Sequence, residues 1–163
     1  MTILRMLGGA ALAAALVLPA AAAVPTPKAF VAKAGASDLF EQREARIMST
    51  SSNADVAAFA KKMLDDHTKS TEMVKSAAKA DGMTPMAPVL SATQTKDIAA
   101  LTAAKGKARD TLYVTQQKAA HAEALALMQD YAGNGTAAHL KEAAGKIVPV
   151  VQSHIDMLAK MTM

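Results

Sequence analysis

Residues 56–74 read VAAFAKKMLDDHTKSTEMV. Apolar residues recur in this stretch at intervals of three and four, the spacing that places them on one face of an α-helix. The buried face predicted for this helix consists of Val56, Phe59, Ala60, Met63, His67 and Val74. His67 therefore stands where a leucine is expected. Because a buried imidazole without a partner costs free energy, the stretch predicts a polar contact inside the packed face of the helix.

The same periodicity extends along the rest of the chain and predicts four helical segments. Asn53 is a candidate N-cap for the second segment and Ser91 for the third. Gly106 is expected to kink or break the third segment, and Pro149 to bend the fourth. The segments run over about 27–50, 54–80, 92–131 and 136–160.

A proline-containing linker, residues 83–91, separates the second and third segments. Pro85 and Pro88 exclude a helix there, and the linker is long enough to run from one end of a bundle towards the other. No alternating, strand-like pattern is found. The sequence therefore predicts an all-α protein, an antiparallel four-helix bundle with one long connection, between helices two and three.

The first 23 residues have the pattern of a secretory signal peptide. Arg5 gives a positive start, residues 6–18 are small or apolar and uncharged, and residues 20–23 are all alanine. We predict cleavage after residue 23 and a domain over residues 24–163, in the periplasm or secreted, with outer-membrane association left open. The alternative is an uncleaved membrane anchor.

Composition excludes several kinds of function. The chain has no cysteine, so it forms neither disulfides nor thiolate metal sites. Its net charge is +4, with lysines scattered along the helices and few aromatic residues, so nucleic-acid binding is not expected. No G-x-S-x-G turn or glycine-rich phosphate loop supports hydrolase or nucleotide chemistry. Partners that remain open are an envelope protein or a membrane surface, and the oligomeric state is not predicted.

Three histidines are predicted on the inward faces of three different helices: His67, His121 and His154. The first helix can add Glu41 or Glu44, and Glu41 is the better candidate because Glu44 also borders the solvent face near Arg43. Neutral imidazoles and a carboxylate are good ligands for Zn, Fe, Mn or Cu. We therefore predict a metal site formed by these three histidines and Glu41.

Groups around this site are predicted to support its ligands by hydrogen bonds. They are Asp66, Gln117 and Tyr113. The fourth histidine, His139, is predicted to lie on the surface near a helix start.

Two alternatives to this metal site remain open. The same polar groups could satisfy one another by hydrogen bonds and fix the packing, with no metal and no reaction. Methionine sulfur could instead bind copper(I) at Met83 and Met86 in the linker or at Met157, Met161 and Met163 near the C-terminus, although core filling is the simpler role for methionine.

The sequence resembles an exported bacterial ferritin-like domain of unknown function, a family described as periplasmic or outer-membrane proteins. The resemblance covers about residues 30–160. It is carried by Phe30-Val31, the runs DLFE at 38–41, VAAFA at 56–60 and MLDDH at 63–67, then Tyr113, Gln117, His121, Pro149 and His154. It implies a ferritin-like four-helix bundle and export, and it implies no known reaction.

The chain departs from the ferritin-like di-iron pattern in one respect. Di-iron bundles carry Glu-x-x-His pairs. Here the residues three before the histidines are Leu64, Lys118 and Val151. A centre rich in histidine and poor in carboxylate favours a single Zn or Cu ion, with one Fe ion as a further possibility, over two irons.

Overall fold

The computed structural model describes residues 23–162, and this part of the chain is helical without any strand. Its helices are α1 Pro27–Met48, α2 Ala54–Ala80, α3 Ala92–Ala103, α4 Gly106–Asn134 and α5 Ala138–Lys160. The prediction of an all-α protein is confirmed. The predicted signal peptide, residues 1–23, falls outside the described residues except for its last one. Within the described range, no helix combines the length and the apolar character that crossing a membrane requires.

Two helices begin at the caps that the sequence predicts. The Asn53 side chain accepts hydrogen bonds from the N–H groups of Asp55 and Val56 at the start of α2. Ser91 and Gln94 exchange side-chain and backbone bonds in a capping box at the start of α3. The intervening residues 83–91 are non-helical, as their prolines require.

The third predicted segment is two helices, so the structure has five helices instead of four segments. The break lies at Ala104 and Lys105, and Gly106 follows with a φ of +53°, a conformation that glycine adopts without strain. Arg109 stabilises the turn between α3 and α4, because its guanidinium donates to the carbonyl groups of Thr102 and Ala104. α3 then packs against α1 and α4.

The four long helices contact one another in a closed ring. α1 packs against α2 and α4, and α5 packs against the same two helices. Two apolar clusters fill the interior at its two ends. One contains Phe30 stacked on Tyr131, with ring centroids 3.9 Å apart, and the other contains Phe59 and Met63. On each long helix the buried polar residues lie between these clusters, except Asp110 near the start of α4, so a polar layer crosses the middle of the core.

The end of α2 is tied to the start of α5 by one carboxylate. α5 has no side-chain cap of its own, since its N-cap residue is Ala137. Asp81, which follows α2, accepts hydrogen bonds from the backbone N–H groups of His139 and Leu140 at 3.1 and 2.9 Å. The His139 ring, predicted to be on the surface, is exposed and donates to the same carboxylate.

Candidate metal centre

Each long helix contributes one of the four predicted ligands to the polar layer. Glu41 comes from α1, His67 from α2, His121 from α4 and His154 from α5, and none is more than 5% exposed. The three histidines each offer one ring nitrogen such that all three nitrogens lie within 4.8 Å of one another. The predicted convergence of three imidazoles is therefore present in the structure, because each occupies an inward position of its helical repeat.

His121 and His154 face each other through one ring nitrogen each. His121 Nδ1 lies 2.9 Å from the Gln117 carbonyl oxygen, which only accepts, so Nδ1 carries the proton and Nε2 presents a lone pair. His154 Nε2 lies 3.0 Å from the Asp66 carboxylate, so its proton is on Nε2 and its lone pair on Nδ1. The two lone-pair nitrogens are 3.2 Å apart.

His67 also directs one ring nitrogen to an outer acceptor and the other towards the centre. Its Nδ1 lies 2.8 Å from Asp38 Oδ1, and the other Asp38 oxygen accepts from the Thr71 hydroxyl. Its Nε2 points to Glu41 Oε2, 2.5 Å away, but the two atoms are not aligned for a hydrogen bond. The other Glu41 oxygen accepts from Ser37.

Every imidazole is thus held by an acceptor on one nitrogen and directs the other nitrogen to a common centre. Metal-ligating histidines have this arrangement, in which the outer acceptor fixes the tautomer and the ring orientation. Glu41 Oε2 borders the centre, 3.8 Å from His121 Nε2. The residues present therefore fit a metal ion with nitrogen ligands and one carboxylate.

Charge is distributed unequally over the cluster. Burial lowers the pKa of His121 and lowers that of His154 to about 4, so both rings are neutral at pH 7. Burial opposes charge on His67 and Glu41 as well, but their mutual attraction outweighs it. Glu41 and Asp38 raise the pKa of His67 to about 10, and the positive charge of His67 lowers the pKa of Glu41 to about 2.

Comparison with known protein families gives one match, to the sequence model described as "Domain of unknown function (DUF4142)", over residues 13–161. The chain belongs to the DUF4142 family. Searches of curated proteins and of solved structures found no match. The family description names no activity, so the function of this DUF4142 protein has to be argued from its site.

Two of the three predicted supporting groups touch the histidines. Asp66 is next to His67 in sequence but bonds to His154, because adjacent residues on a helix point in different directions. The backbone carbonyl of Gln117, and not its side chain, accepts a hydrogen bond from His121 Nδ1. Tyr113 is fully buried with its ring edge against Phe59, and its hydroxyl has no hydrogen-bond partner in the described part of the chain.

Two carboxylates of the polar layer have positions that sequence reasoning missed. Glu44 is the less favoured of the two candidate inward glutamates in the sequence, because its spacing places it beside the solvent face of α1, but it is fully buried and accepts from Gln117 Nε2 at 2.9 Å. The reason is α3, which packs on α1 and α4 on this side; a break at Gly106 was one expected outcome, but the packing of the resulting helix was not predicted. Asp38 holds His67. The available signal was its place on the inward line of α1, three residues before Glu41.

The methionines of this DUF4142 protein differ in their surroundings. Met63 and Met128 are buried in the two apolar clusters, as core filling predicts. Met157 and Met161 pack against the second cluster. In the linker, Met86 is 75% exposed. Met163, one of the residues considered for copper, lies outside the described part of the chain.

Proposed function

We propose that this protein binds one transition-metal ion in its polar layer, with His67, His121 and His154 as nitrogen ligands and Glu41 as the carboxylate ligand. The observation that supports this most strongly is the facing pair of lone-pair nitrogens, His121 Nε2 and His154 Nδ1. Two neutral lone pairs at 3.2 Å repel each other. A cation that lies beside both nitrogens converts this repulsion into coordination.

The distances favour a small ion with short metal–nitrogen bonds. Tetrahedral zinc with bonds of about 2.0–2.1 Å places neighbouring ligand atoms about 3.3 Å apart, close to the separation of the facing nitrogens. The 2.5 Å contact between His67 and Glu41 is shorter than that, so the Glu41 carboxylate has to withdraw slightly when the ion binds. Imidazole-rich sites suit Zn or Cu, and a single Fe ion is a further candidate.

The proposal extends to the fold and the location of the protein. We propose an antiparallel, ferritin-like four-helix bundle. Contacts between helix ends support it: Phe30 of early α1 stacks on Tyr131 of late α4, and Ser51 after α1 bonds to Asp110 of early α4. We also propose export to the periplasm after removal of residues 1–23. A role in metal handling or envelope stress tolerance fits such a protein, and no reaction is assigned.

The test is elemental analysis of protein purified without a histidine tag and then offered Zn, Cu and Fe in turn. We expect about one ion per chain, with a large loss of bound ion in His121→Ala, because the outer acceptors fix a complete ligand set. The matched control is His139→Ala, which removes an exposed ring far from the centre and keeps the ion.

A hydrogen-bonded cluster without metal is the second candidate, favoured by the bonds that join Asp38 to both His67 and Thr71. It predicts that none of the three metals binds and that His121→Ala lowers stability sharply. That pair of results would overturn the metal proposal.

A further inference from the structure

A small cavity adjoins the candidate centre between the helices. Its volume is about 20 Å³, which is room for one water molecule. Six polar residues contribute to its wall, and apolar side chains of α4 and α5 form the rest. The polar residues are Ser37, Asp38, Asp66, His67, Ser70 and His154.

The cavity has a buried end and an end near solvent. His67 and His154 are almost fully buried, and they form the end next to the centre. Val150 is 38% exposed and the Asp66 side chain is 16% exposed, so the outer end lies between α2 and α5. The other ligands, Glu41 and His121, do not line the cavity and are fully buried.

The chemistry of the cavity wall suits a cation that moves through it. Two carboxylates, Asp66 near the outside and Asp38 further in, attract positive charge. The Ser70 hydroxyl is buried and has no hydrogen-bond partner among residues 23–162, so it is available to a water or to a partly hydrated ion. Because a hydrated ion is larger than one water, the wall must also widen. Pro149 precedes Val150 and removes one backbone hydrogen bond of α5 there, which weakens that wall locally.

We propose that the metal ion enters and leaves the centre through this cavity, passing between α2 and α5 at Asp66 and Val150. This inference rests on the proposed function and adds the route to it. It assigns Ser70 and Val150 a role in the rate of exchange and none in coordination.

The experiment measures zinc uptake and release in two variants that block the route. Val150→Trp covers the outer end from a half-exposed position, and Ser70→Leu fills the cavity from inside. The matched controls are Gln152→Trp and Ser76→Leu, at exposed positions of the same helices that do not line the cavity. Stopped-flow competition with a chromogenic chelator gives the association and dissociation rates, and thermal melts establish that each variant is folded.

A blocked route slows zinc uptake and zinc release by the same factor. We therefore expect both rates to fall by about tenfold or more in each blocking variant while Kd stays the same, with unchanged rates in both controls. Wild-type rates in the two folded blocking variants would overturn the inference and leave the metal site intact. So would a change confined to the dissociation rate, since it would mean that the ligands themselves are disturbed. The same experiment is run with copper or iron if zinc does not bind, and failure of the unsubstituted protein to take up any of the three metals would overturn the proposed function, and this route with it.

Discussion

At the scale of single residues, the burial of three imidazoles is balanced by three acceptors of different origin. Asp38 is a carboxylate one helix away, Asp66 reaches His154 from α2, and the Gln117 carbonyl lies one turn before His121 on the same helix. Each acceptor fixes one ring nitrogen as the donor. In His121 and His154, which are neutral, the second nitrogen is thereby left as a lone pair, whereas His67 is protonated and releases a proton when an ion binds.

Glu44 gives a residue-scale prediction about pH. Burial raises its pKa to about 8 from the ordinary 4.5, so the folded protein holds a proton that the unfolded chain releases between these pH values. Stability associated with Glu44 is therefore fully present below pH 4.5 and is lost as pH rises to about 8. The loss in the free energy of unfolding between pH 4.5 and about 8 is on the order of a few kcal/mol, and we expect Glu44→Gln to remove it.

The measurement is urea unfolding of the metal-free protein at several pH values, with chelator present. The stability of Glu44→Gln relative to the unsubstituted protein should rise with pH and level off near pH 8. The control Glu72→Gln changes an exposed glutamate and should leave the pH dependence as it is. A pH-independent difference between Glu44→Gln and the unsubstituted protein would show that Glu44 is ionised when folded.

A residue of the polar layer can be predicted from the sequence to the extent that its position is set by its own helix alone. His67, His121, His154 and Glu41 follow from helical spacing, since each replaces an apolar residue on an inward face. The partner of each ring does not follow, because pairing Asp66 with His154 depends on how α2 and α5 are rotated against each other. Burial of Glu44 depends on a third helix covering it, which spacing within α1 does not reveal.

At the scale of elements, α5 begins at a capping group that belongs to another part of the chain. Asp81 supplies both carboxylate oxygens to the first N–H groups of α5. Asp81→Ala leaves these donors without that partner, so we expect a lower urea midpoint and faster amide exchange at His139 and Leu140. Hydrogen-exchange NMR measures the second effect directly.

His139→Ala is the comparison for this variant. It removes an exposed ring bound to the same carboxylate and keeps the cap, and exposed pairs contribute little to stability. Equal effects of the two substitutions would mean that the ion pair, and not the cap, joins α2 to α5.

The elements themselves were predictable to different degrees. The start of α2 and the capping box of α3 follow from local hydrogen bonding, so the predicted caps are the observed ones. The separation of α3 from α4 requires a positive φ at Gly106. A glycine within a helical pattern is compatible with a continuous helix, a kink or a break, and only the packing of α3 on α1 and α4 selects the break.

At the scale of the whole molecule, the polar layer divides the core. The two apolar clusters stabilise the ends of the helix ring, whereas the layer between them holds four helices together by hydrogen bonds and ion pairs. Buried polar contacts of this kind contribute less net stability than apolar packing of the same volume. A metal ion bound by α1, α2, α4 and α5 would therefore stabilise the polar layer, the part of the core that contributes least to the stability of the fold.

This gives a prediction for global stability. An ion that binds only the folded chain raises the free energy of unfolding by about 2.7 kcal/mol at a free concentration of 100 Kd. We expect zinc to produce an increase of about this size in urea unfolding of the unsubstituted protein and of His139→Ala. In His121→Ala the increase should be nearly absent, even if that variant starts from lower stability, because the comparison is between each protein with and without zinc. An equal increase in His121→Ala would place the bound zinc elsewhere on the molecule. A decrease would mean that zinc binds the unfolded chain more tightly, which a preformed site held by three outer acceptors argues against.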